Sequence, residues 1–459
     1  MTNRFLGLCA QFAGERWVAE RGRVSVESLR GVRASGFEAH SEQSALKRRR
    51  ILIIHQNFPG QFRHIARHLA TRPDVEVVGL GRNTAPGLPD FPWFKYKLHR
   101  EAKAETHPYL RQMEAAVLHG QAVARALAAL KRKGFVPDVI LAHPGWGETL
   151  YAKEIYPQAR LIHFCEWYYA TTDADFGFDP EFPPTLDDRL RINTWNALHL
   201  LNLQNCDAAI APTQWQKSRF PEAYQDKIQV IHEGIDTENL GPDPSTSLTL
   251  PDGTTLKVGD PVVTYVARNL EPYRGFHQFM RALPAVLKAH PTAQILIVGG
   301  DGKSYGSLPK DAPHWRAKML RELRETHGEQ LDQWLPRIHF LGKVPYETYK
   351  TILQVSAVHV YLTYPFVLSW SLLEAMASGC RIIASDTAPV QEVIRDRQNG
   401  ELVVFFDLSA LSQKILRALN DPANGQFFRD AARADAKSYD LYSGLLAYEN
   451  TLRLSRVQE

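Results

Sequence analysis

The sequence predicts two doubly wound, Rossmann-like α/β domains facing a central cleft. Three observations carry that expectation. From residue 51 onward, short apolar runs alternate with helical patterns at the spacing of parallel-sheet proteins. The alternation breaks between 240 and 260, where Gly, Pro, Asp, Ser and Thr take over. At 459 residues the chain is also too long for one ordinary core.

Composition narrows the class. Hydrophobic residues at 44% and charged ones at 23% describe a globular chain. No apolar run reaches the roughly 18 residues of a membrane-spanning helix, so the expected location is cytoplasmic. A net charge of +4 is too mild to suggest nucleic acid as a partner. Cys9, Cys165, Cys206 and Cys380 lie far apart, without the spacing of a zinc ribbon or a disulfide scaffold.

Residues 1–50 show no helical or strand period and end in Lys47-Arg48-Arg49-Arg50. They read as a disordered leader or as lying upstream of the true start, because the apolar run 5–10 is too short for a secretory signal. A basic arm for acidic lipid is the weaker reading.

The N-terminal domain is expected over 51–240. Its strands fall at 51–54, 75–78, 139–142, 161–164 and 208–211, with helices through Ile65, Ala66 and Leu69 and over 108–132. The C-terminal domain is expected over 241–425. Its strands fall at 262–266, 295–298, 338–341, 358–362 and 381–384, with helices over 276–290, 315–326 and 372–377. A final helical segment fills 426–459, packing back on the N-terminal domain. Open parallel sheets bind ligands outside the strand C-termini, which here face each other across the cleft.

Candidate residues lie at those ends. Arg268-Asn269-Leu270-Glu271-Pro272-Tyr273-Arg274-Gly275 follows a strand and precedes a helix. Two guanidiniums there suit a diphosphate, and equally suit a solvated basic loop. Glu374, at the opening of an apolar helix, suits the vicinal hydroxyls of a ribose. Gly60 opens the first strand-to-helix loop, where a side chain would block close approach of a ligand to the main chain. His143 and Glu166 each follow a strand, His143 as a base or sugar contact and Glu166 among aromatics suited to carbohydrate. The Gly299-Gly300-Asp301-Gly302 run lacks the spacing of a dinucleotide fingerprint.

From about 51 to 420 the chain resembles the retaining glycosyltransferases of the GT-B fold, family four (group 1). Three segments carry the likeness: Ala211-Pro212-Thr213-Gln214-Trp215-Gln216-Lys217 running on to Val230-Ile231-His232-Glu233-Gly234-Ile235-Asp236; Arg268 with Arg274-Gly275; and Leu373-Glu374-Ala375-Met376-Ala377-Ser378-Gly379. The resemblance implies a nucleotide-diphosphate sugar donor on the C-terminal domain and a glycan or lipid-linked acceptor on the N-terminal one. It implies no cofactor and no metal. Arg268 and Arg274 would stabilise the leaving diphosphate and Glu374 would bind the ribose. Donor contacts would also come from Gly60, Gly275, Gly300, Val344, Ser369 and Leu373, with the base read by the main chain around 342–346.

The sequence departs from that family at three places. Phe366 stands at the first glutamate of the E-x7-E motif, Arg274 replaces a lysine, and Cys165 or Glu166 stands where a sugar-contacting histidine is expected. Two alternatives stay open, a GT-B sugar-nucleotide epimerase and a catalytically silent nucleotide-sugar-binding protein. Between 51 and 150, thirteen Lys/Arg face eight Asp/Glu. The basic helix over 108–133 fits a peripheral membrane contact and a solvated helix face equally well.

Overall fold

The structure, a computed structural model, describes residues 48–454; the leader read over 1–50 therefore lies almost wholly outside the described residues. Seven strands build the N-terminal sheet: β1 (Arg49–Ile54), β2 (Val75–Arg82), β3 (Trp93–Tyr96), β4 (Val139–Ala142), β5 (Arg160–Phe164), β6 (Ala208–Ala211) and β7 (Ile228–Val230). A two-stranded hairpin, β8 (Ser247–Thr249) and β9 (Thr255–Lys257), comes next. The C-terminal sheet holds β10 (Val262–Asn269), β11 (Gln294–Gly300), β12 (Ile338–Gly342), β13 (Val358–Tyr361), β14 (Ile382–Ser385) and β15 (Glu401–Val403).

Both sheets are parallel throughout and doubly wound. Their orders are β3-β2-β1-β4-β5-β6-β7 and β12-β11-β10-β13-β14-β15. The first strand of each is central, and the order reverses between β1 and β4 and between β10 and β13. These reversal points open crevices at the strand C-termini, where doubly wound sheets bind ligands. Central strands buried on both faces read as unbroken apolar runs, as Ile51 to Ile54 does with every side chain fully buried. Of the two large sheets, the strands missing from the sequence reading are β3, β7 and β15, short edge strands with a polar or exposed residue interrupting the run.

The stretch read as a linker is partly folded. Leu248, Leu250 and Leu256 of the hairpin join Val262, Leu296 and Ile352 in the C-terminal core. The crossover itself is short, and it is paired: Ile235 forms a parallel bridge with Asp440, where the chain returns. The C-terminal helical pattern divides accordingly. The Pro422–Ala436 helix packs Ala432 and Ala436 into the C-terminal domain. The Leu441–Leu452 helix packs Tyr448 and Leu452 into the N-terminal core beside Ile65 and Leu69.

The long basic helix, Arg111–Arg132, spends its apolar face on that same domain, burying Leu118, Val123, Leu127 and Leu130. Its amphipathic pattern is thus that of a helix packed on a sheet. No helix among the described residues is long and apolar enough to cross a membrane.

Candidate active site

The two sheets meet through a strap and an aromatic cluster. After β5 the chain leaves the N-terminal sheet and lies on the C-terminal domain before entering the Leu186–Asn205 helix. Asp175 accepts from the Tyr273 hydroxyl at 2.9 Å, and Asp179 accepts from His277 at 2.9 Å. Glu181 pairs with Arg281. Burial pushes the Asp175 carboxyl up to about 6. Burial also works against the Asp179 anion, but hydrogen bonds from His277 and Tyr364 outweigh it and hold that carboxyl below its usual range. Asp179, Glu181 and His277 bring three ligand-type atoms within 4.8 Å of one another. Sequence spacing concealed this group because it spans both domains; Tyr364 and Arg281 already engage its two acids.

Phe366 explains itself at this junction. It is 6% exposed and packs its ring on Trp167 at 4.8 Å, Tyr305 at 5.0 Å and Tyr273 at 5.5 Å. Its carbonyl accepts from the Trp215 indole N–H at 3.0 Å. A hydrogen-bonding glutamate is thus replaced by an apolar contact between domains. Phe366→Ala is expected to cost about 3 kcal/mol, the range for deleting a buried aromatic; urea unfolding measures it, and a loss below about 1 kcal/mol would show that the ring carries little of the junction.

The two arginines differ in kind. Arg274 is buried, and its Nη1 donates to Tyr361 Oη at 3.2 Å, Thr363 Oγ1 at 2.8 Å and the Val367 carbonyl at 3.0 Å. Its guanidinium lies 5.4 Å from the centre of the Tyr305 ring. Gly275 follows at φ +67°, and a Cβ there would stand 2.3 Å from Leu362, so only glycine fits this turn into the Phe276–Ala289 helix. Arg268, at the end of β10, is exposed and has no hydrogen-bonding or ion-pair partner among the described residues. Tyr305 lies close enough to Arg274, Glu166 and Arg268 to feel all three charges. Its loop is pinned by the buried Glu271, which accepts from the main-chain N–H groups of Ser304, Tyr305 and Gly306.

Glu374 sits one turn inside the Trp370–Ala377 helix rather than at its opening, so the helix terminus does not account for it. Its Oε2 accepts from the Tyr349 hydroxyl at 2.8 Å, Tyr346 stands 3.5 Å from Oε1, and burial raises its pKa. Ser369 caps that helix, and its N–H donates to the same Tyr361 hydroxyl that Arg274 engages. Leu373 is fully buried in the core, which leaves only its main chain for a ligand. Val344 is half-buried just past β12, and Gly300 ends β11 with Lys343 and Asn269 packed against it.

On the N-terminal side the structure joins His143 and Glu166, which follow different strands. His143 Nδ1 accepts from the Gly145 N–H at 3.2 Å, so Nε2–H points at Glu166 Oε2, also at 3.2 Å. The other oxygen of Glu166 accepts from Gln61 Nε2 at 3.0 Å, and Gln61 Oε1 accepts from His55 at 2.7 Å. Burial opposes the Glu166 anion, but the His143 hydrogen bond and neighbouring imidazoles win, and its pKa falls. Burial, with His143 adding to it, lowers His55 to about 3 and keeps it neutral.

His55 and Gln61 were missed by sequence reasoning. The available signal was position: His55 follows β1 as His143 follows β4. Gly60 serves this network, since at φ +51° a Cβ would lie 2.3 Å from the His55 ring; its missing side chain makes room for an imidazole rather than for a ligand. Glu233 was also passed over. It is 4% exposed at the domain crossover, its Oε2 makes no hydrogen bond among the described residues, and burial pushes its carboxyl up to about 8.

Comparisons with known proteins agree with this architecture. Residues 73–240 match the glycosyl transferase family 4 group and residues 260–421 match the glycosyl transferases group 1. A GDP-mannose-dependent alpha-(1-6)-phosphatidylinositol monomannoside mannosyltransferase of Mycolicibacterium smegmatis is 26% identical over 48% of this chain and 54% of its own. A phosphatidyl-myo-inositol mannosyltransferase of Mycobacterium leprae is 29% identical over 39% and 42%. The chain thus spans about half the length of the curated relatives it matches. Sucrose-phosphate synthase from Thermosynechococcus elongatus superposes with a TM-score of 0.64 at 18% identity, over 88% of this chain and 98% of the other. HepE of Anabaena, in complex with UDP, gives 0.60 at 16% identity, over 88% and 99%. With each doubly wound half matching its own half of the family, the chain belongs to the GT-B glycosyltransferases of family four, group 1.

Proposed function

We propose that the protein is a retaining hexosyltransferase, moving a sugar from a nucleotide-diphosphate donor on the C-terminal domain to a glycan or lipid-linked acceptor on the N-terminal domain. The observation that carries this reading is Arg268 at the end of β10, exposed and without a hydrogen-bonding or ion-pair partner among the described residues, six positions before the buried Arg274, whose guanidinium lies 5.4 Å from the centre of the Tyr305 ring. Arg268 meets the diphosphate directly. Arg274, tied to Tyr361, Thr363 and Val367, supplies fixed positive charge behind it without reorganising during the reaction. The bond from the sugar's anomeric carbon to the diphosphate breaks and one to the acceptor oxygen forms on the same face. The acceptor proton passes to the departing diphosphate. Glu166, held as an anion by His143, accepts from an acceptor hydroxyl and orients it. Glu374 receives the ribose hydroxyls. A relative named as GDP-mannose-dependent, and a structural neighbour that holds UDP, support a nucleotide-sugar donor.

Phe366 favours one other reading, a silent nucleotide-sugar binder, because it removes an acceptor from the position of the donor sugar. Calorimetric titration with UDP, GDP and ADP, paired with release of labelled sugar from the matching donor, separates the two. One nucleotide is expected to bind selectively, and Glu374→Ala to weaken it about tenfold, the loss of a charged hydrogen bond. Binding without sugar release supports the silent binder; no binding by a folded protein overturns both.

A further inference from the structure

Beside Glu166 lies a cavity of about 110 Å³, beneath the Leu186–Asn205 helix at the ends of β4 and β5. The reaction derived above uses only its mouth. Its walls include the rings of Trp146, Tyr169 and Trp195. Inside, His163 is fully buried, and neither ring nitrogen meets a partner at full hydrogen-bond geometry among the described residues, although the Asn202 main chain lies close enough to favour the charged form. The half-buried His199 has an Nε2 that also lacks a partner. Burial keeps both imidazoles neutral, lowering His163 to about 3 and His199 to about 4, with His143 adding to the effect.

Orphaned buried nitrogens cost stability unless a ligand or water satisfies them. A neutral imidazole offers one donor and one acceptor, and a hydroxyl can answer either. Among the described residues no lysine or arginine lines the cavity, while Glu166 holds a negative charge at its edge. A phosphate entering here would lose its hydration without a counter-charge. Apolar ring walls match the CH face of a sugar.

We infer that this cavity is the acceptor subsite for an uncharged hydroxylated ring, the terminal sugar of a glycan, rather than for a phosphorylated head group. The inference rests on the reading of the N-terminal domain as the acceptor side. It goes beyond the phosphatidylinositol-linked acceptors named for the relatives, since it fixes the charge of the ring that enters.

Saturation-transfer NMR on the full chain tests it, with methyl α-mannoside and methyl α-glucoside as neutral probes and their 6-phosphates as charged ones. A neutral glycoside is expected to bind at least tenfold more tightly than its phosphate, and Trp195→Ala and His163→Leu to weaken it at least tenfold. Trp195 is only half-buried, so it reports even where the His163 variant fails to fold. A phosphosugar binding as well as the neutral one, or binding indifferent to Trp195→Ala, overturns the inference. Nucleotide titration of the same sample distinguishes the failures. Nucleotide binding with no glycoside signal leaves a water-filled cavity and sinks this inference alone; loss of both sinks the proposed function with it.

Discussion

Arg268→Ala is expected to leave thermal unfolding unchanged and to weaken nucleotide-diphosphate binding about ten- to a hundredfold, whereas Arg274→Ala is expected to unfold several kcal/mol earlier. The two residues are six positions apart and equivalent on paper, yet their surroundings differ. Arg268 is exposed and makes no hydrogen bond or ion pair among the described residues, so its removal falls in the class of surface changes within about 0.5 kcal/mol. What it forfeits is a charge-assisted bond to phosphate, about 1.5–3 kcal/mol.

Arg274 serves three acceptors at once, the Tyr361 and Thr363 hydroxyls and the Val367 carbonyl. Truncating it leaves the Thr363 hydroxyl and the Val367 carbonyl without this donor in the interior, at about 1–3 kcal/mol each before relaxation, while Tyr361 keeps the Ser369 N–H. Arg274→Lys restores charge without the planar fork and should recover stability only in part. Melting curves and calorimetry on the three variants decide the matter. Equal destabilisation by both alanine variants would contradict the division of labour.

Glu233→Gln is expected to stabilise the protein strongly at alkaline pH and hardly at all in acid. Burial holds this carboxyl at about 8, against an ordinary value of 4.5, with the Glu166 anion adding to the upward push and the Trp370 indole opposing it. His232, whose Nε2 lies 3.9 Å from the carboxyl, is itself kept neutral by burial, and Tyr448 is the other titratable group packed close by. The folded protein therefore keeps a proton that the unfolded chain releases above about pH 4.5. Where the native state binds more protons, stability falls as pH rises. The fall begins near the unfolded value and continues to about pH 8, at about 1.4 kcal/mol per unit, or some 4–5 kcal/mol in all. Glutamine abolishes it. Urea unfolding at pH 4, 7 and 9 should give a wild-type-to-variant difference that widens with pH. Glu148, pushed by burial to about 7, and Asp175, to about 6, slope the same way, but they are present in both proteins and cancel. A difference constant with pH would show that Glu233 is not held protonated.

The fold was legible because its signal is local. A central parallel strand buried on both faces must be apolar throughout, and the runs at β1, β4, β6, β10 and β11 state this residue by residue. The edge strand β3 and the hairpin are not legible in that way, since half or fewer of their residues are buried. The candidate arginines, glutamates and His143 were visible because doubly wound sheets concentrate chemistry at strand C-termini. Their roles were not, because role depends on which neighbour arrives from elsewhere in the chain.

By itself the sequence determined two doubly wound domains, the family, and the positions where chemistry gathers; periodicity and strand-end placement are properties of neighbouring residues and need no tertiary information. Only the tertiary structure decided that Arg268 is exposed while Arg274 is spent, that Glu166 joins His143, Gln61 and His55, that Phe366 fills an interdomain contact, and that Glu233 and His163 are buried with ring or carboxylate atoms short of a hydrogen bond among the described residues. The physical reason is that charge state, hydrogen-bond satisfaction and burial are set by groups dozens to hundreds of residues apart in the chain, such as Phe366 against Trp167 or Ile235 against Asp440, and those meetings exist only once both sheets have closed on each other.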